Sequence, residues 1–340
     1  MQHAHASEIA AQQGGFMKKG IVWSSIVVLA LLLTAGTLFA GGQKEAEGGA
    51  EGEEVFTIGY VVKSLDQEFW YAVEEGANDA DADFANVEVF LDGATAETQV
   101  EEQIALVEDM ITRGADALVV APTAPAQLQP VLESAVADGI PVLLVDTDID
   151  GWDGKTTFIG TDNIAAGKIA GKYVSEQLSD GSRVALLEGI PGVTTSVHRI
   201  KGFTEGLASS GADIEIVEQL TAKWDRAEAV TVTEDILTAH GAVDAILAAN
   251  DQMALGAVEA VRAAGIDFDD ILIVGFDGNP GAAQSILDGE MDASVAQMPY
   301  QMGYMGVEAA RDLLMGKEIS SRIDTGADLV TEENAEEYLK

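Results

Sequence analysis

The chain has 340 residues, 47% of them hydrophobic, which is enough to form the cores of two ordinary domains. It has no cysteine, which excludes disulfides, thiolate metal ligands, a cysteine nucleophile and a lipid-modified cysteine. The 58 acidic and 18 basic residues give a formal net charge of −40, which argues against a nucleic-acid partner because a polyanion would be repelled. We interpret the excess of acid as adaptation to salt, which screens self-repulsion.

The first 54 residues carry targeting features rather than a domain. Two lysines after Met17 and the apolar run 21–40 predict a secretory signal peptide in a leader, residues 1–40, with Met17 as an alternative start. If it is not cleaved, the same run is long enough to anchor the chain in a membrane. Residues 41–54 predict a flexible acidic tether. We therefore expect the mature protein in the periplasm, membrane-tethered if the leader is kept.

From residue 55 onward, short apolar runs alternate with helical patterns, and the series occurs twice. In the first half we predict strands at 55–62, 87–91, 117–120 and 141–145 and helices at 68–82, 97–113 and 125–138. After an extended crossing at 158–163 we predict helices at 164–177, 195–209, 227–239, 251–256 and 282–287 and strands at 183–188, 214–220, 245–249, 271–276 and 293–297. The last helix, 301–315, should return to the first half.

These patterns predict an α/β fold. The strands are β-branched and apolar without alternation, and the helices end near glycine, which is typical of parallel sheets covered on both faces. Two such series with little linker between them predict two doubly wound lobes facing each other across a cleft, with several chain crossings.

The stretch 245–256 predicts a buried strand that runs directly into a helix. We expect Asp251 to be the N-cap of that helix, which leaves Asn250 free to bind a ligand at the carboxyl edge of the sheet. The alternative is that Asn250 only closes its own turn.

Polar side chains stand just beyond the carboxyl ends of five predicted strands, and they would converge on one crevice if the sheets face each other. They are Lys63, Asp146, Asn250, Asp277 and Gln297. Carboxylates and amides suit adjacent hydroxyl groups, and Arg199 adds a pure donor. Phe69, Trp70 and Trp224 offer flat faces for a sugar ring, although the first two fit core packing equally well. The expected ligand is small, neutral and rich in hydroxyls.

Eight segments carry a resemblance to a known family. They are KSLDQEFW from Lys63, VDTDID from Val145, GTDNIAAGKIAG from Gly160, HRIKGF from His198, KWDRAEA from Lys223, ANDQMALGA from Ala249, VGFDGNP from Val274 and AQMPYQMGYMGVEA from Ala296. In this order they resemble the periplasmic sugar-binding proteins of the ribose, allose and xylose type, the binding components of ABC sugar importers. The resemblance covers nearly all of residues 55–340.

The resemblance implies the type I periplasmic binding protein fold, two doubly wound parallel-sheet lobes joined by a three-crossing hinge. The N-terminal lobe would comprise 55–160 and 298–323, and the C-terminal lobe 161–297 and 324–340. We expect the hinges near 160–161, 297–298 and 321–324. Ligand roles are implied for Lys63, Gln67, Phe69, Trp70, Asp146, Arg199, Trp224, Asn250, Asp277 and Gln297, with Ser64, Thr147 and Asp148 as further candidates.

The sequence leaves the identity of the sugar open. Ribose-binding members have an arginine where this chain has Thr147, which argues against ribose. Lys63 and Trp70 resemble the allose type, whereas 146–148 and 324–326 resemble binders of xylose and glucose. The implied function is capture of a monosaccharide by lobe closure and its delivery to an ABC permease in the inner membrane, with a chemoreceptor as a further partner, by a monomer without cofactor or metal.

Three other functions compete with sugar import. A binding module for chemotaxis or for a furanose-like signalling molecule stays open. An exported sugar enzyme is disfavoured, since the four histidines form no cluster and no nucleophile elbow or phosphate loop occurs, leaving only Asp146 and Asp277 as paired carboxylates. A repressor's sensing domain would need a basic helix-turn-helix ahead of it, which the acidic tether does not provide.

Overall fold

The structure, a computed structural model, describes residues 55–339. The predicted leader and tether lie outside these residues. The described strands are β1 (Phe56–Ser64), β2 (Val87–Ala94), β3 (Ala117–Val120), β4 (Val142–Val145), β5 (Lys155–Gly160), β6 (Arg183–Glu188), β7 (Glu215–Thr221), β8 (Ala245–Ala248), β9 (Leu272–Asp277), β10 (Ala293–Ala296), β11 (Arg322–Asp324) and β12 (Asp328–Val330). Between residues 55 and 339 no helix is both long enough and apolar enough to cross a bilayer.

Helices alternate with these strands. They are α1 (Glu68–Asp83), α2 (Val100–Thr112), α3 (Pro125–Ala137), α4 (Asn163–Ser175), α5 (Thr194–Leu207), α6 (Arg226–His240), α7 (Asp251–Ala264), α8 (Pro280–Leu287) and α9 (Pro299–Leu314). Four of the described strands, β3, β4, β8 and β10, are buried along their whole length, which explains why their sequences are almost entirely apolar.

The strands form two six-stranded sheets. The first has the order β11-β5-β4-β3-β1-β2 and is parallel throughout. The second has the order β12-β10-β9-β8-β6-β7 and is parallel except for the antiparallel edge strand β12. Helices α1 and α9 cover one face of the first sheet and α2 and α3 the other, while α4 to α8 pack around the second sheet. These are the two doubly wound lobes that the sequence predicted.

Between residues 55 and 339 the chain passes between the sheets three times. The first passage lies between β5 and α4, the second between β10 and α9, and the third between β11 and β12. Residues 158–163 are therefore not simply an extended crossing, because β5 is a full strand of the first sheet. The third passage lies at 325–327, just after the predicted 321–324, because 322–324 pair with β5 as strand β11.

Some element boundaries also differ from the prediction. Helix α2 begins at Val100 and not at Glu97, since the preceding turn is closed by Glu102, whose carboxylate accepts hydrogen bonds from the backbone and hydroxyl of Thr95. The three-residue strands β11 and β12 were not predicted, because neither forms an apolar run and each exists only through its partner strand.

In each lobe, the helix that follows a crossing is in backbone contact with a neighbouring helix through glycine. In the first lobe, a Cβ atom on Gly76 of α1 would lie 2.0 Å from the carbonyl oxygen of Tyr300 in α9. In the second, a Cβ on Gly171 of α4 would lie 2.3 Å from the carbonyl oxygen of Phe203 in α5. Only glycine permits these approaches. In both pairs one helix, α9 or α4, begins directly after a crossing.

Candidate functional site

A cavity lies between the lobes, at the carboxyl ends of both sheets. All ten residues given a ligand role from the sequence line it. They are Lys63, Gln67, Phe69, Trp70, Asp146, Arg199, Trp224, Asn250, Asp277 and Gln297. Glu97 and Thr195 line it as well and were not predicted. The loops that follow parallel strands meet here, which is why residues distant in sequence face one space.

On the first-lobe side, the polar groups form a connected set. The Lys63 ammonium lies 2.9 Å from Asp146 Oδ2 and 4.0 Å from Glu97 Oε2. Glu97 Oε1 accepts a hydrogen bond of 2.8 Å from Trp70 Nε1. Burial raises the pKa of Glu97, and the Lys63 charge opposes that rise. The set therefore holds Lys63 between two carboxylates.

On the second-lobe side, Arg199 is fixed by four contacts. Its Nε donates to Asn163 Oδ1 over 2.8 Å, and its Nη1 donates to the Ala249 carbonyl over 2.7 Å. The same Nη1 lies 3.2 Å from Asp277 Oδ1, and the guanidinium carbon lies 3.9 Å from the centre of the Phe276 ring. Arg199 is 3% exposed, so these contacts orient a charge that water barely reaches.

Asp277 joins the two sides electrostatically. Burial raises its pKa to about 7, while Arg199 and a 2.7 Å hydrogen bond from Gln297 Nε2 oppose the rise. Asp146 and Glu97, across the cavity, raise the pKa of Asp277 further. The cavity thus holds two cations and three carboxylates, two of which have raised pKa values, so its net charge is close to zero.

Backbone strain is concentrated at this cavity. Four non-glycine residues of the described chain have clearly positive φ angles: Asp146 (59°), Lys223 (53°), Trp224 (68°) and Asp277 (125°). Three of them line the cavity, and Lys223 directly precedes the third. Such conformations cost about 1–3 kcal/mol each and persist where the surroundings enforce them, typically at functional sites.

Two tryptophans flank the cavity from opposite lobes. The Lys63 ammonium lies 5.4 Å from the centre of the Trp70 ring and 5.8 Å from that of Trp224. Phe69 packs edge-on against Trp70, with 4.9 Å between ring centres. The Trp224 ring lies against Gly189, where a Cβ would be 2.1 Å from it. Trp224 is 4% exposed, so its loop encloses a buried ring and is not simply polar surface.

The expectation that Asp251 is the N-cap of α7 was wrong. Asn250, not Asp251, is the N-cap of α7, because its Oδ1 accepts from the Met253 amide over 2.9 Å. The Asp251 carboxylate is buried and accepts from the Asn279 amide (2.8 Å) and the Ser294 hydroxyl (2.7 Å). The Asn250 side chain therefore caps the helix and also lines the cavity.

The three further candidates do not line the cavity. The Ser64 hydroxyl bonds within its own turn, and the Thr147 hydroxyl donates to Asp146 Oδ2 over 2.7 Å. Asp148 pairs with Lys155 at 2.8 Å. Thr147 thus orients a cavity carboxylate without facing the cavity itself.

Contacts between the lobes close the cleft beside the cavity. The Thr194 hydroxyl donates to the Asp148 carbonyl over 2.7 Å, and His198 Nε2 lies 3.1 Å from Asp150 Oδ2. These bonds join the start of α5 to the loop after β4. The described residues contain no group of histidine and acidic side chains arranged to hold a metal ion.

Of the two lining residues that were not predicted, one could have been identified from the sequence. Glu97 was assigned to a helix, and no sequence signal separates it from the residues that follow. Thr195 lies four residues before Arg199 on α5, so the two share one helix face, and that spacing could have identified it.

Comparison with known proteins identifies the family. Residues 58–318 match the periplasmic binding protein domain. The chain belongs to this family. The ribose import binding protein of Bacillus subtilis is 34% identical over 93% of this chain and 100% of its own length. The D-ribose/D-allose-binding protein of Pseudomonas aeruginosa is 33% identical over 83% of this chain and 91% of its own.

Solved structures of the family have the same fold. A solute binding protein of an ABC transporter from Actinobacillus succinogenes, with bound D-allose, aligns with a TM-score of 0.76 at 30% identity, over 83% of this chain and 100% of that one. The Caulobacter myo-inositol binding protein, bound to myo-inositol, aligns with a TM-score of 0.76 at 32% identity, over 83% and 95%. The predicted family of the ribose/allose type, its type I fold and its role as a binding protein rather than an enzyme are confirmed.

Proposed function

We propose that the protein captures a neutral monosaccharide, a pentose or an aldohexose, between its lobes and delivers it to an ABC permease. The observation that carries the proposal is the charge balance of the buried cavity. Lys63 is paired with Asp146 and lies 4.0 Å from Glu97, and Arg199 is paired with Asp277, so no cation is left to bind an anionic ligand. Hydroxyl groups suit such a site because they both donate to carboxylates and accept from cations.

D-allose and D-ribose are the first candidates, since relatives are named for them. We rank D-allose first, because Lys63 and Trp70 resemble the allose type and Thr147 stands where ribose-binding members have arginine.

Lobe closure is the proposed capture step. Trp70 comes from one lobe and Trp224 from the other, so a sugar held by an open lobe gains its second set of contacts only on closing. A ligand shifts a population by this differential contact. The permease would bind the closed form, and a chemoreceptor is a second candidate partner for that form.

We further propose that the protein acts as a monomer and that its leader is a signal peptide that directs its export.

Titration calorimetry of the purified protein with D-allose, D-ribose, D-xylose, D-glucose, D-galactose and myo-inositol tests this function. We expect micromolar binding of at least one sugar, which corresponds to about 8 kcal/mol. Asp146→Asn should cost about 2–5 kcal/mol of that affinity, because the Lys63 charge loses its partner. Asp109→Asn, at an exposed ion pair on α2, is the control. Absence of binding, or an undiminished affinity of the Asp146 variant, would contradict the proposal.

We also propose that the net charge of −40 reflects a saline habitat. Added NaCl should then raise the melting temperature strongly, because salt screens repulsion between the acidic groups. A melting temperature independent of NaCl would argue against it.

A further inference from the structure

Three polar atoms at the cavity are buried without a hydrogen-bond partner in the described chain. They are Thr195 Oγ1, Trp224 Nε1 and Gln297 Oε1, and the only other such side-chain atoms among residues 55–339 are the hydroxyls of Thr233 and Ser285. A buried polar atom without a partner is costly, so folded proteins rarely keep one without a reason. Three such atoms around one cavity indicate groups that a ligand completes.

Thr195 is placed by helix α5. It is 2% exposed and lies one helical turn before Arg199, on the same face. Its neighbour Thr194 uses its own hydroxyl to bond the Asp148 carbonyl across the cleft. The first turn of α5 therefore divides two tasks: Thr194 joins the lobes, and Thr195 presents an unpaired hydroxyl to the cavity.

The other two atoms have fixed hydrogen-bonding characters. Trp224 Nε1 can only donate, and its ring is held in place against Gly189. The Gln297 amide is oriented by the bond from its Nε2 to Asp277, so Oε1 can only accept. The cavity thus offers a fixed donor, a fixed acceptor and, at Thr195, a hydroxyl that can do either.

We infer that Thr195 is a specificity-determining residue, whose hydroxyl bonds one particular hydroxyl of the sugar. The inference rests on the proposed function. Thr195 and Trp224 belong to the second lobe and Gln297 to the crossing that follows β10, whereas Lys63 and Asp146 belong to the first lobe. The sugar therefore meets Lys63 and Asp146 on one side, and Thr195, Trp224 and Gln297 beside the Arg199–Asp277 pair on the other.

Thr195→Val is the decisive variant, because valine keeps the shape and removes the hydroxyl. We expect the affinity for the best-bound sugar of the six named above to fall about tenfold or more. The melting temperature of the unliganded variant should not fall, because the lost hydroxyl has no partner to leave unpaired. Thr195→Ser should restore most of the affinity.

Thr233→Val is the matched control. Thr233 lies in α6, is fully buried and carries another hydroxyl without a partner, but it does not line the cavity. Its variant should keep the wild-type affinity. An affinity of Thr195→Val within twofold of wild type would overturn the inference while sugar binding by wild type persists. If wild type binds none of the six sugars, the proposed function fails and this inference with it.

Monodeoxy analogues of the same sugar identify the hydroxyl. One analogue should bind wild type about tenfold more weakly and bind Thr195→Val as well as the parent sugar does, because the same hydrogen bond is missing in both cases. If every analogue shows the same ratio between wild type and variant, Thr195 contacts no single hydroxyl and the inference is wrong.

Discussion

Replacing Arg199 with methionine should destabilise the unliganded protein, by an amount that depends on pH. Methionine keeps an unbranched apolar side chain but removes the guanidinium, which lies over the Phe276 ring and bonds Asn163 and the Ala249 carbonyl. Each buried acceptor left unpaired costs about 1–3 kcal/mol. With two acceptors left unpaired, we expect the free energy of unfolding to fall by about 2–6 kcal/mol at pH 6, where Asp277, with its pKa of about 7, is largely protonated in the folded protein.

The loss should grow above pH 7. In wild type the raised pKa of Asp277 lowers stability as the pH rises from about 4 to about 7, after which the folded carboxyl ionises and the effect levels off. Arg199 is the main group that lowers this pKa, so the variant carries a higher one. Its stability should go on falling relative to wild type by up to about 1.4 kcal/mol per pH unit.

Urea denaturation at pH 6, 7, 8 and 9 without sugar measures both effects. Arg226→Met is the matched control, because Arg226 forms an exposed pair with Glu259 and is 46% exposed in its side chain. Its loss should be below about 1 kcal/mol and independent of pH in this range. A loss for Arg199→Met that is equal at pH 6 and pH 9 would refute the coupling to Asp277.

Three further variants test the surroundings of the cavity. Gly189→Ala places a methyl group 2.1 Å from the Trp224 ring, so it should cost about 1–3 kcal/mol of stability and at least tenfold in sugar affinity, seen by calorimetry and tryptophan fluorescence. For Asp277→Asn, the free energy of unfolding relative to wild type should increase by about 3–4 kcal/mol between pH 4 and pH 7 and stay level above pH 7. If the difference in stability between variant and wild type were the same at every pH, the raised pKa would be contradicted. His198→Ala loses the 3.1 Å contact to Asp150, and because both side chains are partly exposed the affinity should change by less than about 1 kcal/mol, an effect absent at high salt. A tenfold loss there would show a stronger link.

The sequence was informative wherever a pattern is local. Unbroken apolar runs such as 142–145 predicted the buried parallel strands, and the polar residues after predicted strand ends gave five of the twelve residues that line the cavity. This works because the carboxyl edge of a parallel sheet is the same for every strand.

Tertiary partners decided what the sequence could not. Asn250 and Asp251 are adjacent, and both suit an N-cap. Asp251 does not cap the helix, because its carboxylate accepts hydrogen bonds from Asn279 and Ser294, which lie far along the chain. Likewise the positive φ of Asp146 is imposed by its surroundings, and no local residue pattern announces it.

The helix pairs joined through glycine have a mechanical consequence. Helices α4 and α9 start where the chain enters each lobe, and they touch the backbones of α5 and α1, which carry Arg199 and Trp70. When the crossings bend, each helix pair should therefore move as a rigid body. Arg199 would move with α4 and α5, and Trp70 with α9 and α1. Gly171 and Gly303 do not line the cavity. A methyl group added at either one would push the two helices of its pair apart and displace Arg199 or Trp70 from its position in the cavity.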